Sequence, residues 1–151
     1  MKYLKRFNES IDSDIISNIK DILVDLQDKG IDVEILKQPI SGRDGLNILI
    51  SDPNNLNHIG HAFRVGDKPL RHSFDICSDT WDSLYRLYDY LVSEGYGLRD
   101  ISFRARDSKS GSNSDGANSL DEFKRIVEVF GYHSFAYIIL KYRQKNLRLE
   151  V

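Results

Sequence analysis

Three times along this chain, an amphipathic helical pattern ends at a glycine and is followed directly by a strand pattern. The three junctions read DKGIDVEI, SEGYGLRDISF and VFGYHSFAYII, and their glycines are Gly30, Gly95 and Gly131. A glycine at such a place supplies the left-handed residue that ends a helix. Because the spacing of the three junctions is irregular, the pattern indicates a repeated supersecondary unit and excludes a solenoid.

The hydrophobic period of each segment and the capping and turn residues between segments together predict the fold class. The first predicted helix carries a stripe from Ile15 to Leu26, the second begins at Asp79 as its N-cap, and the third begins with a capping box at Ser119. The third helix is expected to face inward through Leu120, Phe123, Ile126, Val127 and Phe130. Strands are predicted near 31–35, 46–50, 61–65, 72–77, 96–106 and 132–142. The order favours a single α+β domain, a mostly antiparallel sheet with about three helices packed on one face.

Length and composition fit one domain. The chain has 151 residues, 40% hydrophobic and 29% charged, which is ordinary for a folded protein. We predict a lead-in over 1–10, a domain over 11–151, and a flexible polar loop at 107–118 with the sequence DSKSGSNSDGAN. The last strand is apolar on both faces through its middle, which predicts a central place in the sheet.

Cysteine usage and hydropathy indicate the compartment. Cys77 is the single cysteine, so no disulfide can form within the chain, and this is typical of a reducing compartment. No apolar stretch approaches the roughly 18 residues that span a membrane. The sequence therefore predicts a cytoplasmic protein, or one packaged from a cytoplasm, with no membrane partner.

Motifs for catalysis and cofactors are absent from the sequence: it contains no GxSxG, phosphate-binding loop or GxGxxG. His58, His61 and His72 lie near Cys77 and could serve a metal-dependent enzyme, but no paired CxxC or HExxH spacing accompanies them. Scattered loop histidines are the preferred interpretation, and Cys77 is expected in the core. We predict no catalytic residue, metal or cofactor, and a non-enzymatic protein.

Two surfaces remain as candidate sites. Trp81, Tyr85 and Tyr88 form an aromatic stripe on the second helix, either core or an interface with another protein or a second copy. A basic strand face could form from Arg104, Arg106, Lys141 and Arg143 and bind nucleic acid or a phosphate ligand. The net charge of -2 gives nucleic acid no support, and exposed strands carry such residues routinely for solubility.

The first ten residues, MKYLKRFNES, carry the one resemblance to a known class of proteins. They are similar to the N-termini of small tailed-phage proteins and to the capsid-targeting peptides of T-even-type phages. Met1, Lys2, Glu9 and the apolar Phe7 match those peptides, which prefer Leu or Ile at the position of Phe7, and Ser10 suits a cleavage junction. The resemblance implies a phage protein, made in the cytoplasm of a host cell and carried in or on the particle, whose first residues act as a targeting peptide. A plain amphipathic lead-in is the alternative.

The functional expectation combines these observations. It is a phage-type virion-associated or accessory protein that acts through protein–protein contacts without catalysing a reaction. The alternative is a small nucleic-acid or phosphate-ligand binding protein that uses the basic strand face.

Overall fold

The computed structural model describes residues 14–37, 45–52, 74–105 and 115–145. Helical and extended segments alternate in these ranges much as the periodicity predicts. In chain order they are α1 (14–22), α2 (Val24–Asp28), β1 (Asp32–Lys37), β2 (Gly45–Ser51), β3 (Phe74–Asp75), α3 (Ser78–Ser93), β4 (Tyr96–Ala105), β5 (Asp115–Ala117), α4 (Leu120–Phe130) and β6 (Ser134–Gln144).

The first predicted helix appears as two pieces, α1 and α2, separated by a turn at Leu23. There the Leu26 amide donates to the Leu23 carbonyl at 3.1 Å, a hydrogen bond one residue shorter than the helical one. The apolar stripe continues through the turn, because Ile15, Ile19, Leu23 and Leu26 are all buried. Gly30 follows with φ of 82°, so the predicted glycine stop is confirmed.

The described strands form one sheet in the order β1-β2-β6-β4-β5, and every neighbouring pair among them is antiparallel. The short strand β3 pairs with the start of β6, placing Phe74 opposite Phe135. β6 therefore lies in the middle, as its apolar sequence predicts, and the residues from Phe135 to Leu140 are all buried. The first predicted hairpin is confirmed as β1 and β2, with Ile35 opposite Ile48.

The main core lies between the sheet and the helices, which confirms the α+β architecture. Aromatic rings connect the layers: the centroid of Phe103 on β4 is 4.7 Å from that of Phe123 on α4, and Phe135 on β6 is 5.8 Å from Phe123. A smaller buried cluster, separate from this core, consists of Leu49, Ala136, Tyr137 and Ile139. The two clusters explain why β6 is apolar on both faces.

The start of α3 differs from the prediction, because Cys77 and not Asp79 is the N-cap residue. Cys77 has extended backbone angles, and its amide donates to the Thr80 Oγ1 atom at 3.3 Å. Thr80 is fully buried, so this hydroxyl is held against the end of the helix. Asp79 lies in the first turn, where its carboxylate interacts favourably with the helix dipole.

The end of the polar stretch 107–118 also differs from the predicted flexible loop. There Asp115–Ala117 form β5 and pair with β4. Ala117 is buried opposite Ile101, and this short strand pairs with the backbone of β4 from Ile101 to Phe103. The predicted strand near 72–77 is present as β3, which is only two residues long. The rest of the predicted loop up to residue 114, the strand near 61–65 and the lead-in 1–10 lie outside the described residues.

A buried tyrosine hydroxyl on β6 allows a test of what an unpaired buried polar group costs in stability. Tyr142 is only 2% exposed, and its Oη has no hydrogen-bond partner among the described residues. Burial raises the pKa of this phenol, so the group stays neutral. We expect Tyr142→Phe to raise the free energy of unfolding by about 1 kcal/mol in urea unfolding, because an unpaired buried hydroxyl is costly.

Tyr85→Phe is the matched control of opposite sign. The Tyr85 hydroxyl donates to the Asp121 Oδ1 atom at 2.6 Å, so its removal should lower stability by roughly 0.5 to 1.5 kcal/mol. Equal losses in the two variants would show that the Tyr142 hydroxyl is satisfied after all.

Candidate functional site

The aromatic stripe predicted on the second helix divides into covered and exposed parts. Trp81 and Tyr85 are half-buried against α4, where the Trp81 ring centroid lies 5.2 Å from that of Phe123. The Lys124 Nζ atom lies 5.9 Å and 6.0 Å from the Trp81 and Tyr85 ring centroids, within cation–π range. Two of the three residues therefore hold α3 to α4.

Tyr85 and Tyr88 differ in environment although they are one turn apart. Burial and the Asp121 hydrogen bond raise the pKa of Tyr85 to about 12, so its hydroxyl remains a donor at neutral pH. Tyr88 is 37% exposed and is the one member of the stripe that leaves a large apolar surface open. A contact surface built on the stripe stays a prediction, centred on Tyr88.

The basic strand face is interrupted by a carboxylate. The Lys141 Nζ atom is 3.5 Å from Asp100 Oδ1, and the Arg99 Nε atom is 3.9 Å from Asp100 Oδ2. Arg104 lies opposite Tyr137 and Arg143 opposite Gly97, six positions apart along β6, a separation of about 20 Å. The structure thus brings Lys141 and Arg143 onto one end of the strand and leaves Arg104 at the other.

Several of the sequence candidates lie outside the described residues. These are Arg106 of the basic face and the three histidines His58, His61 and His72. In the part of the chain that is described, no group of three or more His, Cys, Asp or Glu residues is placed to hold a metal ion.

An exposed apolar surface on α4 was not predicted from the sequence. Val129 is 72% exposed and Phe130 is 64% exposed, the two highest values among the large exposed hydrophobic residues of the described chain. Phe130 stacks on Tyr132, with ring centroids 5.5 Å apart and an angle of 15°. The expectation that Phe130 faces inward was therefore wrong.

Val129 and Phe130 are exposed for different reasons. At about 100° per residue Val129 lies about 120° around α4 from the buried Phe123, whereas Phe130 lies about 20° from it and is open because it is the last residue of the helix. This exposed apolar pair, Val129 and Phe130, is here called the outer side of α4. Asp121 and Lys124 point the other way, toward Tyr85 and Trp81 of α3. The sequence held a signal only for Val129, because the helical period separates Val129 from the buried face but places Phe130 on it.

A cysteine and a lysine meet where α2 ends and α3 begins. The Lys29 Nζ atom donates a hydrogen bond to the Cys77 Sγ atom at 3.0 Å, and it lies 3.6 Å from Asp79 Oδ2. The lysine hydrogen bond, followed by those involving Thr80, lowers the pKa of the Cys77 thiol to about 7. The same hydrogen bond raises the pKa of Lys29.

The position of Cys77 corrects the expectation of a core residue. Its side chain is exposed, because the residue caps α3 instead of continuing the strand. The sequence signal was the run Ser78-Asp79-Thr80 directly after it, which is typical of a helix start. The contact with Lys29 spans 48 positions and had no local signal.

An open groove of about 410 Å³ lies between α3 and Asp25 of α2. Its lining contains one cation, Arg86, among the carboxylates, and the Arg86 guanidinium lies 3.7 Å from the Asp25 carboxylate. The lining residues are Asp25, Asp79, Asp82, Tyr85, Arg86 and Asp89. The groove is acidic, which distinguishes it in charge from the basic strand face.

No known protein family matches this chain, and no curated protein or solved structure matches it either. Across the described residues, every helix is too short or too polar to cross a membrane.

Proposed function

We propose that this chain is a non-enzymatic, phage-type virion-associated or accessory protein that acts through protein–protein contacts, and that the outer side of α4 is its contact surface. The single observation that carries the proposal is the exposure of Val129 and Phe130 side by side. The resemblance of the first ten residues to phage targeting peptides supports the virion association.

Burial energy favours covering this surface. A large apolar side chain that moves from water into an apolar contact contributes roughly 1.5 to 3 kcal/mol. Val129 and Phe130 are neighbours, and Phe130 is already oriented by its stacking on Tyr132. A pre-ordered side chain loses less conformational entropy when a partner covers it.

The partner that fits the surface is a second copy of this chain. Arg125 and Glu128 are both exposed on α4 beside the apolar residues, so the rim carries one charge of each sign. A rim of mixed sign can be complementary to itself across a two-fold axis, and two-fold dimers are the commonest assemblies. An antiparallel pair of α4 helices would therefore cover both apolar surfaces without opposing like charges.

The test is the solution mass of the full chain by light scattering. We expect a dimer for the wild-type protein and a monomer for Val129→Asp, because the new carboxylate would be buried without a partner. Val24→Asp is the matched control, since Val24 is a valine on α2 with 43% exposure, and it should remain a dimer. Circular dichroism establishes that each variant is folded.

Other results of these experiments would contradict self-association or virion association, or would favour nucleic-acid binding. A wild-type monomer at all concentrations contradicts self-association through α4, and absence of the protein from purified particles by mass spectrometry contradicts virion association. The basic strand face is the weaker candidate, because Asp100 pairs with Lys141. Salt-dependent binding of nucleic acid by a monomer would favour that face instead.

A further inference from the structure

The thiol of Cys77 and the amine of Lys29 are placed for a reaction with each other. Their Sγ and Nζ atoms are 3.0 Å apart, although the residues are 48 positions apart in the chain. Lys29 is the C-cap residue of α2 and Cys77 the N-cap residue of α3, so both backbones are fixed by helix ends. Cys77 is exposed and the Lys29 side chain is 41% exposed, so a small oxidant reaches both.

We propose that hydrogen peroxide converts this pair into a covalent sulfenamide that links α2 to α3. The Cys77 thiolate attacks one peroxide oxygen, the O–O bond breaks, and the thiolate is oxidised to a sulfenic acid while hydroxide leaves. The hydroxide takes a proton from the Lys29 ammonium and becomes water. The neutral amine then attacks the sulfenic sulfur, the S–N bond forms, the S–O bond breaks, and the second oxygen leaves as water with a proton from nitrogen.

The balance is complete with peroxide as the only added reactant. One thiolate, one ammonium and one hydrogen peroxide give one S–N bond and two water molecules, and no net charge changes. The two sulfur electrons lost are those that reduce the peroxide. A thiol reductant reverses the reaction by attacking the sulfenamide sulfur and releasing the amine.

The surroundings favour this product over further oxidation of the sulfur. The amine is already in hydrogen-bond contact, so it competes with a second peroxide molecule as an intramolecular nucleophile. The chain has no second cysteine, so no disulfide within the chain can intercept the sulfenic acid. The depressed pKa of Cys77 keeps a large thiolate fraction available near neutral pH.

The new bond would change the stability of the fold. It closes the chain between residues 29 and 77, which restricts the unfolded ensemble in the way that a disulfide does. The oxidised protein should therefore unfold at a higher temperature than the reduced protein. The effect should disappear after treatment with dithiothreitol.

The experiment treats the full chain with hydrogen peroxide and measures intact mass, followed by peptide mapping. The expected product has lost two hydrogen atoms, contains a cross-linked peptide pair with Lys29 and Cys77, and returns to the starting mass with dithiothreitol. Lys29→Arg is the decisive variant, because its guanidinium keeps the positive charge near the thiolate but is a poor nucleophile. It should still form a sulfenic acid that dimedone traps, yet give no cross-link.

Cys77→Ser should show neither the mass change nor the rise in unfolding temperature. The proposal is overturned if wild-type protein accumulates only sulfinic or sulfonic acid, or only a dimer linked through Cys77, with an unmodified Lys29 peptide. It is equally overturned if Lys29→Arg shows the same loss of two hydrogen atoms as the wild type.

Discussion

Phe123→Ala is expected to lower the free energy of unfolding by about 3 to 5 kcal/mol, a large part of the stability of a domain of this size. The Phe123 side chain is fully buried at the centre of the aromatic cluster. Its ring centroid is 4.7 Å from that of Phe103, 5.8 Å from Phe135 and 5.2 Å from Trp81. Truncation therefore leaves a cavity that touches α3, α4, β4 and β6 together.

Phe130→Ala is the matched control for this prediction. It removes the same side chain from the same helix at a position that is 64% exposed, so in the monomeric Val129→Asp background, used for both variants, stability should change by no more than about 0.5 kcal/mol. Urea unfolding monitored by circular dichroism measures both variants. Similar losses in the two proteins would contradict the placement of α4 over the sheet.

The contrast between these two phenylalanines shows how far sequence periodicity reaches. The capping serine Ser119 and the terminating Gly131 are local signals, and both are confirmed: the Glu122 amide donates to Ser119 Oγ at 3.1 Å, and Gly131 has φ of 67°. The 3.6-residue period also finds Phe123. The same period places Phe130 on this apolar face, although the residue is exposed. A periodic pattern carries no information about where the neighbouring layer of the fold ends.

The sheet was predictable for a related reason. A strand that is apolar on both sides has to be central, and the sequence of β6 alone therefore predicts its place. The order of the other strands depends on pairings between distant segments, such as Tyr96 with Gln144, which no local pattern encodes.

The candidate sites depended still more on distant contacts. Trp81 and Tyr85 look like an open aromatic surface in sequence, and only the position of α4 shows that Phe123, Asp121 and Lys124 cover them. Lys141 looks like a free cation until β4 brings Asp100 within 3.5 Å. Charge and aromaticity identify which residues could form a surface, whereas the fold decides which of them share one.

Cys77 is expected to react with iodoacetamide along a pH profile whose midpoint lies near 7, well below the ordinary thiol value of 9.0. At pH 7 about half of the thiol is thiolate, against about one part in a hundred for an unperturbed group. The intrinsic nucleophilicity of a thiolate falls as its pKa falls, which offsets much of this gain. The net rate at pH 7 should therefore exceed that of an unperturbed cysteine by about fivefold to tenfold.

Lys29→Met removes the largest cause of the shift, the hydrogen bond from the ammonium, and leaves the two Thr80 hydrogen bonds in place. Its midpoint should rise part of the way toward 9.0, and its rate at pH 7 should fall, whereas Lys141→Met should behave like the wild type.

Because folding lowers the Cys77 pKa, the contact with Lys29 also stabilises the fold. This contribution to the free energy of unfolding is complete above the pKa of the unfolded chain and is lost as the pH falls through about 7. Lys29→Met should therefore lose stability relative to the wild type at about pH 9 and not at about pH 6.

A wild-type midpoint of iodoacetamide reactivity near pH 9, or one that Lys29→Met leaves unchanged, would show that the 3.0 Å contact does not persist in solution. In that case the proposed cross-link would lose its geometric basis as well.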